Sequence, residues 1–267
     1  MNTTSPSTFL ARRHALPICA ALLLLFASSA SAGDDEAQTG RRLADPLTRL
    51  DHLFLRFDWD TQIGGFDEGK RQTLGIEPAF SFDLDGGGRL VSRTLLPLIR
   101  QDDGTEVETG LGDALQTVYY VPAAAHDSFQ WGVGASLRLP TASDDSLGRD
   151  GAGVGPAVAA AWVGERWTWG AQLQHQWAMD SDDEDVTLVQ PFIAREFGNG
   201  WSSGAQADAT YEWERDRLKG PLTLYARKQI SSASGTAYAF DAGLRYWIDG
   251  PTEEPEWGVR LGFFWVF

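Results

Sequence analysis

The chain has 267 residues, a formal net charge of −15 and one cysteine, yet carries 11 Trp, 14 Phe and 29 Gly. That acidity excludes a nucleic-acid partner, which needs a basic face, and a lone cysteine excludes an internal disulfide. Past residue 32 no apolar run approaches the ~20 residues of a membrane helix, so a helical membrane protein is excluded as well.

Arg12 and Arg13 precede an apolar run over residues 15–26, and small residues follow up to Ala32. This pattern predicts a secretory signal peptide over 1–32, cut after Ala32. Cys19 stands at the start of the apolar run and not just past its end, so lipidation is not expected. Removing the leader takes away two arginines and no acid, which leaves the mature chain more acidic still. An exported chain of this composition is either a soluble β-sandwich or an outer-membrane barrel. Strand alternation decides between them, because in lipid only helices and closed barrels satisfy their own backbone.

Residues 33–51 are polar, with a break at Asp45-Pro46, and read as a flexible periplasmic segment. The barrel is expected over 52–267. Residues 52–59 alternate as a first strand, with a short amphipathic helix as the alternative reading. Leu74, Ile76, Phe80 and Phe82 oppose Thr73, Glu77 and Ser81 in the second strand, and a glycine turn at 86–88 leads into 90–99. A strand at 111–121 has no clear facing. Residues 129–140 alternate cleanly. Residues 154–163 present a small-residue face of Gly155, Ala157, Ala159 and Ala161. Residues 167–179 set Gln172, Gln174 and Gln176 against Trp167, Trp169 and Trp177, as a wet interior and an oily exterior would. Further strands are expected at 186–197, 201–213, 222–230 and 238–248. The last strand, 257–267, alternates Trp257, Val259, Leu261, Phe263, Trp265 and Phe267 with smaller or charged residues.

The expectation is therefore an all-β fold, a transmembrane antiparallel β-barrel of about twelve strands. Connections after even strands are short, and those after odd strands are longer and acidic. Short periplasmic turns and longer outer loops are the usual asymmetry. Tryptophans near strand ends (Trp131, Trp167, Trp169, Trp201, Trp213, Trp257, Trp265) fit interfacial girdles.

Several stretches, in order, carry a family resemblance: L-V-S-R-T-L-L-P-L-I at 90–99, T-G-L-G-D at 109–113, Y-Y-V-P at 119–122, and G-V-G at 132–134 with L-P-T-A at 139–142. Leu147-Gly148, Gly155-Pro156, Q-P-F at 190–192 and Gly200-Trp201 continue the series. Together they resemble the outer-membrane transporters grouped under the meta-pathway of phenol degradation, over about residues 45 to 267. The segment 222–228, L-T-L-Y-A-R-K, departs from the family's glycine-rich strand. The resemblance implies an outer-membrane barrel that takes up small or aromatic compounds. The terminal aromatic strand (Trp257, Val259, Leu261, Phe263, Trp265, Phe267) also resembles the signal read by the barrel-assembly machinery.

Charges inside a membrane are costly and face the lumen. The expected inward set is Arg56, Glu77, Arg93, Arg138, Asp208, Arg227, Asp241, Arg245 and Arg260. It reads equally as a solute filter and as a salt-bridge network that fills a narrow barrel. The acidic run 180–185 lacks calcium-loop spacing and reads as a solvated loop. His175, on the lipid-side register, is a candidate base for a lipid hydrolase with Ser203, but no nucleophile motif accompanies it. No enzyme, cofactor or metal site is expected. The expected function is passive passage of small, hydrophobic or aromatic, solutes; a closed structural or adhesive barrel is the alternative and a lipid hydrolase a weaker one. The expected partners are outer-membrane lipid, lipopolysaccharide, the assembly machinery and small solutes, at the cell outer membrane.

Overall fold

A computed structural model of the chain describes residues 34–267 apart from 64–68, 124, 126–127, 150, 181–182, 232–235 and 248–254. The expected signal peptide 1–32, His126, parts of the 180–185 acidic run and the 231–235 turn, and most of the 64–69 and 249–256 loops lie outside the described residues.

Twelve antiparallel strands close into a barrel. They are β1 (His52–Ile63), β2 (Gly69–Asp83), β3 (Arg89–Asp102), β4 in two pieces (Val107–Leu111 and Ala114–Val121), β5 (Phe129–Leu139), β6 (Gly153–Val163), β7 (Trp167–Ala178) and β8 (Val186–Gly198). β9 has two pieces (Trp201–Ala207 and Ala209–Glu212), as does β10 (Arg217–Lys219 and Pro221–Ser231); β11 (Ala237–Trp247) and β12 (Trp257–Val266) follow. β12 pairs with β1 from His52↔Val266 to Thr61↔Trp257, so no sheet edge is left open. Residues 52–63 are thus a strand of the barrel and not an amphipathic helix.

The alternation sorts side chains across the wall. On β7, Thr168, Gln172, Gln174 and Gln176 are buried inside, while Trp167, Trp169, Leu173 and Trp177 are exposed outside. On β12, Trp257, Leu261 and Trp265 point out, as does Phe267 just past its end, while Arg260 and Phe264 are buried within. An outer surface this apolar over the whole circumference is stable in hydrocarbon and not in water. This excludes the soluble sandwich.

β4, whose facing the sequence leaves open, breaks at Gly112-Asp113, where the Gly112 amide bonds the Pro97 carbonyl at 2.9 Å. Beyond the break Thr117, Tyr119 and Val121 turn inward and are buried. β9 and β10 break opposite each other at Asp208 and Gly220, where the Asp208 amide bonds the Pro221 carbonyl at 2.9 Å.

The segment expected to be flexible is a helix followed by a docked turn. α1 (Asp34–Leu43) ends in Arg41 and Arg42, which suit the negative end of its dipole. Its last residue, Leu43, and Asp45 and Leu47 beyond it are buried inside the barrel. Leu47 is fully buried against Val91, Tyr119, Val121, Ala157 and Ala159. Leu43 packs with Ala237, Ala239, Phe264 and Val266. The small side chains of β6 leave the room that Leu47 fills, and burying two leucines offsets the ordering of the polar segment. The Arg89 guanidinium donates to the Leu47 carbonyl at 2.6 Å, and the Thr168 hydroxyl to the Arg41 carbonyl at 3.3 Å.

Candidate functional site: the barrel lumen

Between the docked segment and the long-loop end lies a cavity of about 370 Å³. Residues 43–46 bound it on one side. Of the expected inward set, Arg56, Glu77, Arg93, Asp208, Arg227, Asp241, Arg245 and Arg260 line this cavity. Arg138 also faces inward but lies apart from it.

One wall, built by β1, β2 and β9–β12, is densely charged. Asp58 is its hub. The Arg260 guanidinium donates to both Asp58 oxygens, at 2.6 and 3.0 Å, and reaches Asp208 at 3.3 Å. Arg245 donates to Asp58 at 2.8 Å and to Asp60 at 2.7 and 3.2 Å. Arg56 lies 3.3 Å from Asp58 and 3.0 Å from Glu77. Asp208 further accepts from the Gln190 and Gln206 amides at 3.0 and 2.7 Å. Arg227 and Asp241 form a separate bidentate pair at 2.7 and 2.8 Å. Buried charges of this density persist because each is paired and hydrogen-bonded.

The opposite wall, from β3 to β8, carries a single charge, Arg93, and is otherwise neutral. Leu95, Leu115, Thr117, Gln172, Gln174, Leu188, Gln190 and Phe192 line it. Tyr119 and Arg93 both donate to the Gln172 side-chain oxygen, at 3.2 and 3.0 Å. The lumen is therefore asymmetric, with ion pairs on one side and amides and hydrocarbon on the other.

A second charged cluster ties the long loops together. Arg138 pairs with Asp183, which also receives Arg149 at 3.2 Å. Arg149 reaches Glu184 at 3.2 Å and Glu212 at 3.4 Å, while Arg215 pairs with Glu184. Arg217 and Lys219 close on Glu212 at 2.7 and 2.8 Å. Burial pushes the Asp183 carboxyl up, but the hydrogen bonds from Arg138 and the Glu184 amide outweigh it and hold it below the usual range. The run 180–185 is thus not a purely solvated loop: Glu184 is buried and Asp183 half-buried, and both are held in an arginine network. Among the described residues, no group of three or more His, Cys, Asp or Glu side chains is placed to hold a metal ion.

The sequence pattern of the family described as "Putative MetA-pathway of phenol degradation" matches residues 37–263. The chain belongs to this family. Two solved barrels are similar in fold. The COG4313 outer membrane channel from Pseudomonas putida F1 has a TM-score of 0.63 and 14% identity, over 89% of this chain and 99% of that one. The NanC porin has a TM-score of 0.51 and 10% identity, over 80% of this chain and 98% of that one. At these identities the likeness is one of fold, that of an outer-membrane barrel. No curated protein sequence matches the chain.

In this phenol-degradation family member the strand register separates the two residues of the hydrolase alternative. His175 lies opposite Thr187 and bonds its hydroxyl at 2.9 Å, whereas Ser203 lies opposite Arg195. Thr187 and Arg195 are eight residues apart on β8, about 26 Å at the rise of an extended strand. His175 instead packs edge-on against Trp177 and Trp213 on the outer surface.

Asp58 and Asp60 lie outside the expected inward set, though Asp58 shares the Arg56 face of its strand and Asp60 continues it. Two acids at i and i+2 of one strand, facing a barrel interior with Arg56, are the signal that marks them. The wall facing the ion pairs was visible in part, as Arg93 and the glutamine row of β7.

Proposed function

We propose that the chain is an outer-membrane channel that passes small solutes passively, hydrophobic and aromatic ones among them, without chemical conversion. The observation that carries the reading is the asymmetric cavity inside the closed barrel. A charged wall and an amide-and-hydrocarbon wall across one lumen present both polar and apolar contacts to a solute, as pore linings do. The apolar outer face fits the lipid of the outer membrane. The terminal aromatic strand, with its large side chains turned outward, supports recognition by the barrel-assembly machinery, and the long-loop end supports contact with lipopolysaccharide.

The alternative is a closed structural or adhesive barrel, favoured by Leu43 and Leu47 filling the short-turn end. Single-channel recording separates the two. The mature chain, refolded and inserted into a planar bilayer, is expected to give small steady conductance steps. Removing residues 33–47 is expected to enlarge them. Silence from a folded barrel lacking that segment would overturn the channel reading and leave the structural one.

A further inference from the structure

Five arginines line the cavity, and four of them are neutralised: Arg56, Arg245 and Arg260 share Asp58, Asp60, Glu77 and Asp208, and Arg227 holds Asp241. Arg93 differs. Its one hydrogen bond goes to the neutral Gln172 side chain, and among the described residues no carboxylate lies within ion-pair distance of it. Asp45 lies close enough to feel its charge but makes no ion pair with it, and one of its carboxylate oxygens accepts from the Leu47 amide at 2.9 Å.

The surroundings of Arg93 are amphipathic. Arg93 lies opposite Thr117 across the β3–β4 pair, and the next inward pair along the same strands is Leu95 opposite Leu115. Both leucines line the cavity, with Leu188 and Phe192 also contributing apolar surface. A solute anion entering the cavity is repelled by the opposite wall, where five carboxylates face four arginines, and attracted to Arg93. Guanidinium groups bind carboxylates in two parallel hydrogen bonds, and the Gln172 contact uses only one amino group, Nη1.

We propose that Arg93, with the Leu95–Leu115 pair, forms a binding site for a small monocarboxylate with an apolar body, an aryl or short alkyl carboxylate. The carboxylate lies against the Arg93 guanidinium and the apolar body against the two leucines. A cavity of about 370 Å³ is at the small end of ligand sites, which suits a single ring. This assignment deepens the channel reading by naming the substrate class of the same lumen.

Titration calorimetry on the refolded mature chain in detergent tests it, with benzoate as the probe and benzyl alcohol as its neutral counterpart. Benzoate is expected to bind at least ~10-fold more tightly than benzyl alcohol, because only the anion gains charge-assisted hydrogen bonds. Arg93→Gln is expected to weaken benzoate roughly 10- to 100-fold and leave benzyl alcohol unchanged. Arg93→Lys, which keeps the charge, is expected to retain part of the preference. Each variant is first checked for its folded, heat-modifiable band on an unboiled gel. Equal binding of the two probes by the parent chain, or an Arg93→Gln variant that binds benzoate as the parent does, would overturn the site. Because calorimetry in detergent does not depend on conductance, a channel that conducts but does not distinguish the probes loses the carboxylate site and keeps the channel reading.

Discussion

Phe54 on β1 and Phe264 on β12 stack face to face, with ring centroids 3.9 Å apart and planes 8° from parallel, across the strand pair that closes the barrel. The Arg227 guanidinium lies 4.5 Å from the Phe264 centroid. One ring thus joins the closing seam to the charged wall and to Leu43 of the docked segment. Truncating a buried aromatic costs about 3–5 kcal/mol through lost transfer energy and the cavity left behind. Phe264→Ala is expected to lower the stability of the folded barrel by that order. Phe263→Ala, one position along but on the outer face, is expected to cost much less, since lipid fills the space. Urea unfolding of both variants in vesicles measures the difference, and equal losses would contradict the role given to the seam stack.

The Arg227–Asp241 pair is buried and bidentate, and its geometry gives it a sign that can be tested. Removing one member leaves an uncompensated charge inside the barrel, about 3–5 kcal/mol, whereas replacing both with apolar groups of similar size is nearly neutral. Asp241→Asn is therefore expected to destabilise strongly, and the double change Arg227→Met with Asp241→Leu much less. The readout is again the unfolding midpoint. A double variant as weak as the single one would mean that the pair contributes net stability of its own.

Much of the barrel was legible because lipid and water sort side chains with a period of two. The run 167–179 alone, with tryptophans against glutamines, separates outside from inside. The inward arginines follow from the same rule, since a guanidinium on the lipid face is costly. Two things escaped it. The docking of Leu47 depends on a void that β6 leaves by carrying alanines inward, and that of Leu43 on Ala237, Ala239, Phe264 and Val266 of β11 and β12; both matches join positions more than a hundred residues apart. The other is the pairing of Asp183 and Glu184 with Arg138, Arg149 and Arg215. An acidic run looks solvated until the fold brings arginines from three other segments onto it.

Gly220 faces the break at Asp208 with φ +137, a conformation that disfavours side chains, and a Cβ there would collide with the Asp208 carbonyl. That close approach holds the Asp208 backbone where its carboxylate meets Arg260. Gly220→Ala is expected to push the β9 and β10 backbones apart and cost on the order of 1–3 kcal/mol of stability. It also loosens Asp208, so in bilayer recordings the variant is expected to show altered ion selectivity. Parent-like stability and selectivity would show that the break tolerates a side chain and does not position Asp208.

Asp45 makes the docking of the N-terminal segment dependent on pH. Burial pushes its carboxyl up from 3.8 to about 6, with the Leu47 amide, Arg89, Arg93 and Arg42 only partly opposing the rise. A raised carboxylate pKa means that the docked state holds its proton more tightly than the released one. The contribution to docking is thus fully present below about pH 4 and is lost as pH rises to about 6, on the order of 2–3 kcal/mol in all. Limited proteolysis of the segment, or its hydrogen exchange, is expected to quicken across that window and level off above it. Asp45→Asn keeps an oxygen for the Leu47 amide but carries no charge, so its segment is expected to stay protected at pH 7 and to show no transition between pH 4 and 6. If the variant and the parent titrate alike, the pH dependence arises elsewhere, and the Asp45 carboxyl does not control docking.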